Sequence, residues 1–421
     1  MKTANTAGRR TSLKLLAAGI ALSVLPLSAT ALAQDLSGEL TFMVAEYSAK
    51  TGPFWQGLVD SFEAANPGVD VRLEVVNWQQ MHDTTVQRIA AGAMPDLVNT
   101  ATIWLPEWVD ADAIQEVTPD LISDAVRADI VPSLLDLGAS YQGKSYGLPI
   151  AAAGRGLFYN EDLLEQAGYD APPADWAAFK DAIVKIHETT GQFGFGYDAK
   201  GVQAFRYFGY FLWNNGGDFF NEDGTAAFNS DAGVEALAYL VDLAGTAAVP
   251  APAGNAIEDL EPMFKAGRLA MLIDGNYFAA AVRTDSPDLA LAAAAVPTSG
   301  GDVAPVGWGV TDTLVIGNNA EPALVKAFID HIYTTEARTE FDVNEGLLPL
   351  LLSQAELPEF TEDPVTAAFV AQLDTYRFDP LHPNYAQMQE LVKTAMQQAL
   401  AGTDPKVALD DAAAAFDNLI Q

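Results

Sequence analysis

Between residues 69 and 75 the chain alternates strictly: Val69, Val71, Leu73 and Val75 are apolar, while Asp70, Arg72 and Glu74 are charged. A period of two belongs to a strand with one face in a core and the other in water. The period then changes on both sides. Pro53 opens a stretch in which Phe54, Trp55, Leu58, Val59 and Phe62 recur at helical spacing until Asn66-Pro67-Gly68 breaks it. A second helix is predicted over about 79–91, stopped by Gly92, and short apolar strands are predicted at 40–44 and 95–98. Strands separated by helices need crossover connections, which are right-handed and generate a parallel sheet covered by helices on both faces. Ligands of such sheets meet the carboxyl ends of the strands.

Helical spacing of Trp, Phe, Ile, Leu and Val returns over 176–188 and 232–243, around a segment at 191–210 rich in glycine and aromatics. This pattern predicts a second lobe. Further strands are predicted at 270–273, 289–296 and 313–316, and the C-terminal part reads as mostly helical, ending in an alanine-rich helix over 407–419. No internal repeat is present.

With 421 residues, the chain holds roughly two to three domains at about 150 residues each. Half of the residues are hydrophobic and 19% are charged, a globular composition. Lys and Arg total 22 against 56 Asp and Glu, a formal charge of −34 that repels phosphate backbones and anionic headgroups, so no nucleic-acid partner is expected. The absence of cysteine excludes disulfides, thiolate nucleophiles and Cys-based metal centres. The histidines, His82, His187, His331 and His382, are scattered, so neither a metal site nor a cofactor is expected.

Residues 1–33 carry Lys2, Arg9, Arg10 and Lys14 but no acid, then an apolar run over 15–27, then Ala31-Leu32-Ala33. That is the three-part layout of a secretory leader, predicted to be cleaved after Ala33; the apolar run falls short of the ~20 residues of a membrane-spanning helix. Arg9-Arg10-Thr11-Ser12-Leu13-Lys14 resembles the twin-arginine export signal, although Ser12 stands where that signal usually has Phe. No cysteine follows the cleavage site to take a lipid anchor, so a periplasmic location is expected.

Several segments, taken in order, resemble the extracellular solute-binding proteins of ABC importers, in the branch that includes maltose- and trehalose-binding proteins. They are Ala90-Ala91-Gly92-Ala93-Met94-Pro95-Asp96-Leu97-Val98, Tyr141-Gln142-Gly143-Lys144-Ser145-Tyr146-Gly147-Leu148-Pro149, and Gly156-Leu157-Phe158-Tyr159-Asn160 with Leu163-Leu164. Downstream come Ala167-Gly168, Pro172-Pro173 and Trp176, then Phe264-Lys265-Ala266-Gly267-Arg268-Leu269-Ala270-Met271 and Gly346-Leu347-Leu348-Pro349. The resemblance implies an α/β, two-lobe periplasmic binding protein fold, type II-like, each lobe a mostly parallel sheet flanked by helices, joined by hinge crossings. It implies lobe 1 at 34–149 plus about 304–333 and lobe 2 at 150–303 plus about 334–421. The hinges are expected near 149–152, 298–305 and 331–338, where small residues such as Ala151, Ala152, Gly300 and Gly301 suit backbone rotation.

A sugar presents C–H patches on its faces and hydroxyls round its edge, so its site wants aromatic faces and planar polar groups. Trp308, in Pro305-Val306-Gly307-Trp308-Gly309, matches a sugar-stacking tryptophan of the family; its flanking glycines are expected to leave the indole unshielded and allow close backbone approach at Gly307. Tyr277 stands where relatives carry another stacking aromatic. Asp96 matches a family carboxylate and Arg377 a ligand-contacting arginine. Glu46 and Tyr47 follow the first strand, and Asn77 and Trp78 end the second, where a ligand would lie. Trp104, Trp213 and Asn214 are weaker candidates, since aromatics at helical spacing usually belong to a core. Ala153 occupies a position where disaccharide-binding relatives often place an aspartate. With Arg155 and Arg377 near it in motif order, that loss would tolerate an acidic sugar or a glycerol phosphate.

The expected function is therefore a monomeric, non-enzymatic binder that closes on a sugar or sugar derivative and hands it to the transmembrane subunits of an ABC permease. A non-sugar polar solute such as glycerol phosphate or a polyamine is the alternative cargo. An exported glycan hydrolase is the rival class, yet the chain has no Gly-x-Ser-x-Gly elbow, no His-Glu-x-x-His and no phosphate-binding loop.

Overall fold

The computed structural model describes residues 36–138 and 140–420; the predicted leader, its twin-arginine segment and the cleavage site lie outside the described residues. The chain begins with β1 (Ser37–Glu46), α1 (Thr51–Ala65), β2 (Gly68–Asn77), α2 (Trp78–Ala90), β3 (Leu97–Ala101) and α3 (Leu105–Asp110). β1 pairs in parallel with β2 along its whole length, from Ser37 opposite Gly68 to Glu46 opposite Asn77, and with β3 on its other edge. The βαβαβ order read from periodicity is thus present, and the carboxyl ends of β1 and β2 finish level with each other. α1 turns Trp55, Val59 and Phe62 inward. Trp55 meets Phe42 of β1 edge-on, with centroids 5.1 Å apart. Each large apolar side chain buried in this way contributes roughly 1.5–3 kcal/mol.

The second half contains β4 (Gly147–Asn160), α4 (Trp176–Thr190), β5 (Phe193–Gly196), α5 (Ala204–Trp213), α6 (Asp231–Ala244), β6 (Leu269–Gly275), α7 (Phe278–Asp285) and β7 (Leu291–Ala294). After these come β8 (Trp308–Ile316), α8 (Pro322–Ile332), α9 (Thr335–Glu345), β9 (Arg377–Phe378), α10 (Tyr385–Leu400) and α11 (Pro405–Asp417). The strands form one nine-stranded mixed sheet whose main path is β2-β1-β3-β8-β4-β6-β5; β9 pairs with β8 and β7 with β4. Parallel pairing holds at both ends of this path, within β2-β1-β3 and between β6 and β5. Between them the long strands β4 and β8 run antiparallel to each other and to their neighbours on this path, while the short β9 pairs with β8 in parallel.

β8 begins well before the strand predicted at 313–316, because Gly309, Thr311 and Asp312 interrupt the apolar signal without interrupting the pairing. Trp308 lies opposite Arg155, Val310 opposite Ala153 and Asp312 opposite Ala151, after which the register shifts between Asp312 and Thr313. Such a slip twists the strand locally and re-aims its side chains. Small residues along β4 and β8 admit rings from elsewhere: a Cβ on Gly154 or on Gly307 would overlap the ring of Tyr376. α9, which begins where the resemblance would start the second lobe's last segment, packs on α1. Phe341 lies 5.0 Å from Trp55 and 5.1 Å from Phe54, and Thr51 donates to Glu345 at 2.8 Å.

Candidate ligand cleft

The carboxyl ends of β1, β2 and β3 deliver an aromatic ladder. Tyr47 leaves β1 and stacks on Trp78, with centroids 5.9 Å apart and planes at 28°. Trp78 in turn stacks on Trp104, 5.7 Å away at 26°. Asn77 holds the middle rung indirectly: its side chain accepts from the Gln79 amide at 3.1 Å and caps α2, which fixes Trp78 in the first turn. Asn77 Oδ1 is therefore committed to the helix cap. His82 packs at 4.9 Å on Trp104 and contacts Glu107 at 2.8 Å.

The Trp78 and Trp104 rungs form one wall of a cavity of about 210 Å³, with Tyr47 behind Trp78. Trp78, Thr102 and Trp104 line it from the β1–β3 side, Asp312 from β8, and Arg206, Phe378 and Asp379 from the opposite side. A second cavity, of about 380 Å³, shares the Phe378–Asp379 wall and is lined by Trp213, Asp218, Phe220 and Arg377. Together they present indole and phenyl surfaces beside carboxylates and guanidinium groups, the combination that grips a polyhydroxylated ring.

The charges are arranged unevenly. Arg206 donates to both oxygens of Asp379 at 3.1 Å, and the Tyr385 hydroxyl also donates to Asp379. Arg377 is paired with Asp218, and its guanidinium lies 4.7 Å from the Trp213 ring centroid. Among the described residues Asp312, in contrast, accepts only from the Tyr47 hydroxyl, at 2.5 Å, and that hydroxyl is also 3.1 Å from Asn99 Oδ1. Burial pushes the Asp312 carboxyl up to about 7, and the Tyr47 hydrogen bond opposes that rise.

Beside the cleft, β4 and β6 assemble a second polar group. Arg155 is 8% exposed, with its guanidinium 5.3 Å from the Tyr277 ring; its Nε and Nη1 have no partner among the described residues. Asp274 accepts from the Gly275 amide at 2.7 Å, and burial pushes its carboxyl up to about 7, offset in part by the neighbouring Arg155. Tyr277, 44% exposed, lines a separate cavity of about 290 Å³ with Arg283, Val343 and Asp363.

Of the residues expected from sequence, the cleft thus brings together Tyr47, Trp78 and, in the adjoining cavity, Arg377, while Arg155 and Tyr277 pair with each other. Three expectations are corrected. Trp308 is fully buried: Trp213 lies 4.1 Å from it, and Phe205 and Tyr210 meet it edge-on at 5.6 and 5.7 Å. Its flanking glycines do not leave the indole open, because α5 covers it with rings. Gly307 gives room to Tyr376, not to a ligand. Asp96 stands at the amino end of β3, away from the cleft, and accepts from both the amide and the hydroxyl of Thr41 at 2.7 Å. Glu46 is exposed at the end of β1.

Asp312, Arg206 and Asp379 escaped the sequence reading, and Trp104 was ranked low. The signals were present: Asp312 is the acid in a Thr-Asp-Thr alternation, and Arg206 is a lone cation in the aromatic run of α5. Among the described residues no cluster of His, Asp or Glu is disposed to hold a metal, and no helix is long and apolar enough to cross a membrane.

The profile of bacterial extracellular solute-binding proteins matches residues 45–339. A binding protein of Brucella abortus (strain 2308) is 32% identical over 409 residues, covering 95% of this chain and 97% of its own. The arabinooligosaccharide-binding protein of Bacillus subtilis (strain 168) is 26% identical, over 90% of this chain and 92% of its own. Among solved structures, the cyclic α-maltosyl-1,6-maltose binding protein of Arthrobacter globiformis superposes with a TM-score of 0.79 at 24% identity, over 91% of this chain and 98% of that one. The sugar-binding protein MalE of Xanthomonas citri gives 0.81 at 20% identity, over 90% and 97%.

Proposed function

Because the chain belongs to the bacterial extracellular solute-binding proteins, with their two-lobe α/β fold, we infer that its cargo is a saccharide held between the Tyr47–Trp78–Trp104 ladder and the polar wall of Arg206, Asp312 and Asp379. The carrying observation is that ladder at the carboxyl ends of three parallel strands, facing planar charged groups across a cavity. The arabinooligosaccharide- and maltosyl-maltose-binding proteins that the chain resembles support the same ligand class. The chain acts as a monomeric periplasmic receptor, exported by its leader, that closes on the sugar and passes it unchanged to an ABC permease. Closure rotates one end of the sheet against the other about β4 and β8, near the expected crossings.

An acidic cargo loses the support that the alanine at Ala153 lent it. Of the two arginines on which that reading rests, Arg377 is engaged by Asp218, Arg155 lies beside Tyr277 and does not line the cavity of the ladder, and Asp312 brings a carboxyl group to that cavity.

Isothermal titration against neutral arabino-, malto- and xylo-oligosaccharides tests the reading. One equivalent of at least one saccharide is expected to bind, and Trp104→Ala is expected to weaken it about tenfold or more, since an aromatic face is worth about 0.5–1.5 kcal/mol beyond its buried area. Failure of every saccharide to bind, or unaltered affinity in Trp104→Ala, overturns it.

A further inference from the structure

We propose that Asp312 makes this cleft selective for a sugar carrying a cationic amino group. The inference rests on the saccharide reading above and adds the charge of the ligand to it.

Three ionisable side chains line the cavity beside the aromatic ladder: Arg206, Asp312 and Asp379. Two of them neutralise each other. Nη2 of Arg206 donates to both oxygens of Asp379, which the Tyr385 hydroxyl also serves, so their opposite charges offset each other. Among the described residues Asp312 has no such partner. Every neighbouring element brings it a neutral group: the segment after β1 brings the Tyr47 hydroxyl, β3 brings Asn99 behind that hydroxyl, and β4 places Ala151 opposite it in register. The nearest buried cation on α9, Arg338, is already bound to Asp342 at 2.8 Å.

Paired residues on neighbouring antiparallel strands share a face, as do residues two apart on one strand. Asp312, opposite Ala151, therefore lies on the same face of the sheet as Ala153, so on this face β8 supplies a carboxylate beside two alanines of β4.

A carboxylate without a counter-charge, held out of bulk water, carries a desolvation penalty that a ligand cation removes. The same cation gains from the indole of Trp104 where it lines the cavity, since a positive charge is attracted to an aromatic ring. A neutral hydroxyl can only donate a hydrogen bond there, and a carboxylate or phosphate on the ligand meets repulsion.

The test uses matched trios at one pH: glucose, glucosamine and glucuronate, with the galacto- and manno-configured equivalents beside them. In every configuration that binds, calorimetry is expected to rank amine above neutral by about tenfold and neutral above acid. At about pH 6, where burial keeps Asp312 largely protonated, seating an ammonium ionises it. Amine binding is then expected to release close to one proton, read as a dependence of the enthalpy on the buffer's own ionisation heat. In Asp312→Asn both the amine preference and the proton release disappear. Equal or weaker amine affinity, or a preference that survives in Asp312→Asn, overturns the proposal and leaves the saccharide reading standing. Absence of binding by all these sugars, whatever their charge, overturns the proposal, and the saccharide reading falls with it if the oligosaccharides fail to bind as well.

Discussion

Trp308→Ala is expected to destabilise the protein by about 3–5 kcal/mol, the range for removing a large aromatic from a packed core. The indole is fully buried, and its contacts come from α5: Trp213 at 4.1 Å, Phe205 at 5.6 Å and Tyr210 at 5.7 Å, with the Arg206 guanidinium 5.4 Å from its centroid. Truncation leaves a hole under the floor of the cleft and removes the ring against which Arg206 rests. Urea unfolding at constant pH measures the loss. Ligand affinity of the residual folded fraction is expected to fall far less than that of a ladder variant such as Trp104→Ala, because Trp308 offers no face to a ligand. Full stability combined with lost binding contradicts its placement in the core.

Asp342→Ala is expected to cost a similar amount, about 3–5 kcal/mol, for an electrostatic reason. Arg338 and Asp342 are both 0% exposed and pair across one turn of α9 at 2.8 Å. Arg338 also donates to the Ile150 carbonyl at 2.6 Å, which ties α9 to the crossing strand β4. Gln354 donates to the other oxygen of Asp342 at 2.9 Å and accepts from the Leu350 and Leu351 amides. Removing the carboxylate strands a guanidinium among Trp55, Tyr333 and Phe341, where water cannot reach it. Replacing both partners, as Arg338→Met with Asp342→Leu, removes the buried charge altogether and is expected to recover most of the loss. A double-mutant cycle by urea unfolding reads this directly, and an Asp342→Ala variant within about 1 kcal/mol of the parent contradicts it.

Local pattern carried the fold a long way. The alternation at 69–75 and the helical spacing that follows Pro53 specify β2 and α1, since each depends only on which face its own residues bury. β8 was legible only in its apolar half, because Thr311 and Asp312 serve the cleft and break the pattern that a purely structural strand would keep. In the proposed site, Tyr47 and Trp78 were legible as candidates because ligands of parallel sheets meet the ends of the strands, whatever the residue. Trp308 and Asp96 were misread for a shared reason: what occupies each is supplied from a distant stretch of chain, α5 for the indole and Thr41 for the carboxylate. A glycine-flanked tryptophan is open only if no other ring arrives to cover it. Asp312 was missed for the converse reason, since the role proposed for it lies in the cation that no neighbouring element among the described residues provides.

The central claim is that the two ends of the sheet close on a saccharide and release it intact. Small-angle scattering of the protein, alone and saturated with a sugar whose binding calorimetry has established, tests this most directly. A smaller radius of gyration in the bound state, with the sugar recovered chemically unchanged, is the result the account predicts. Superimposable profiles with and without the bound sugar, or recovery of cleaved sugar, would contradict it.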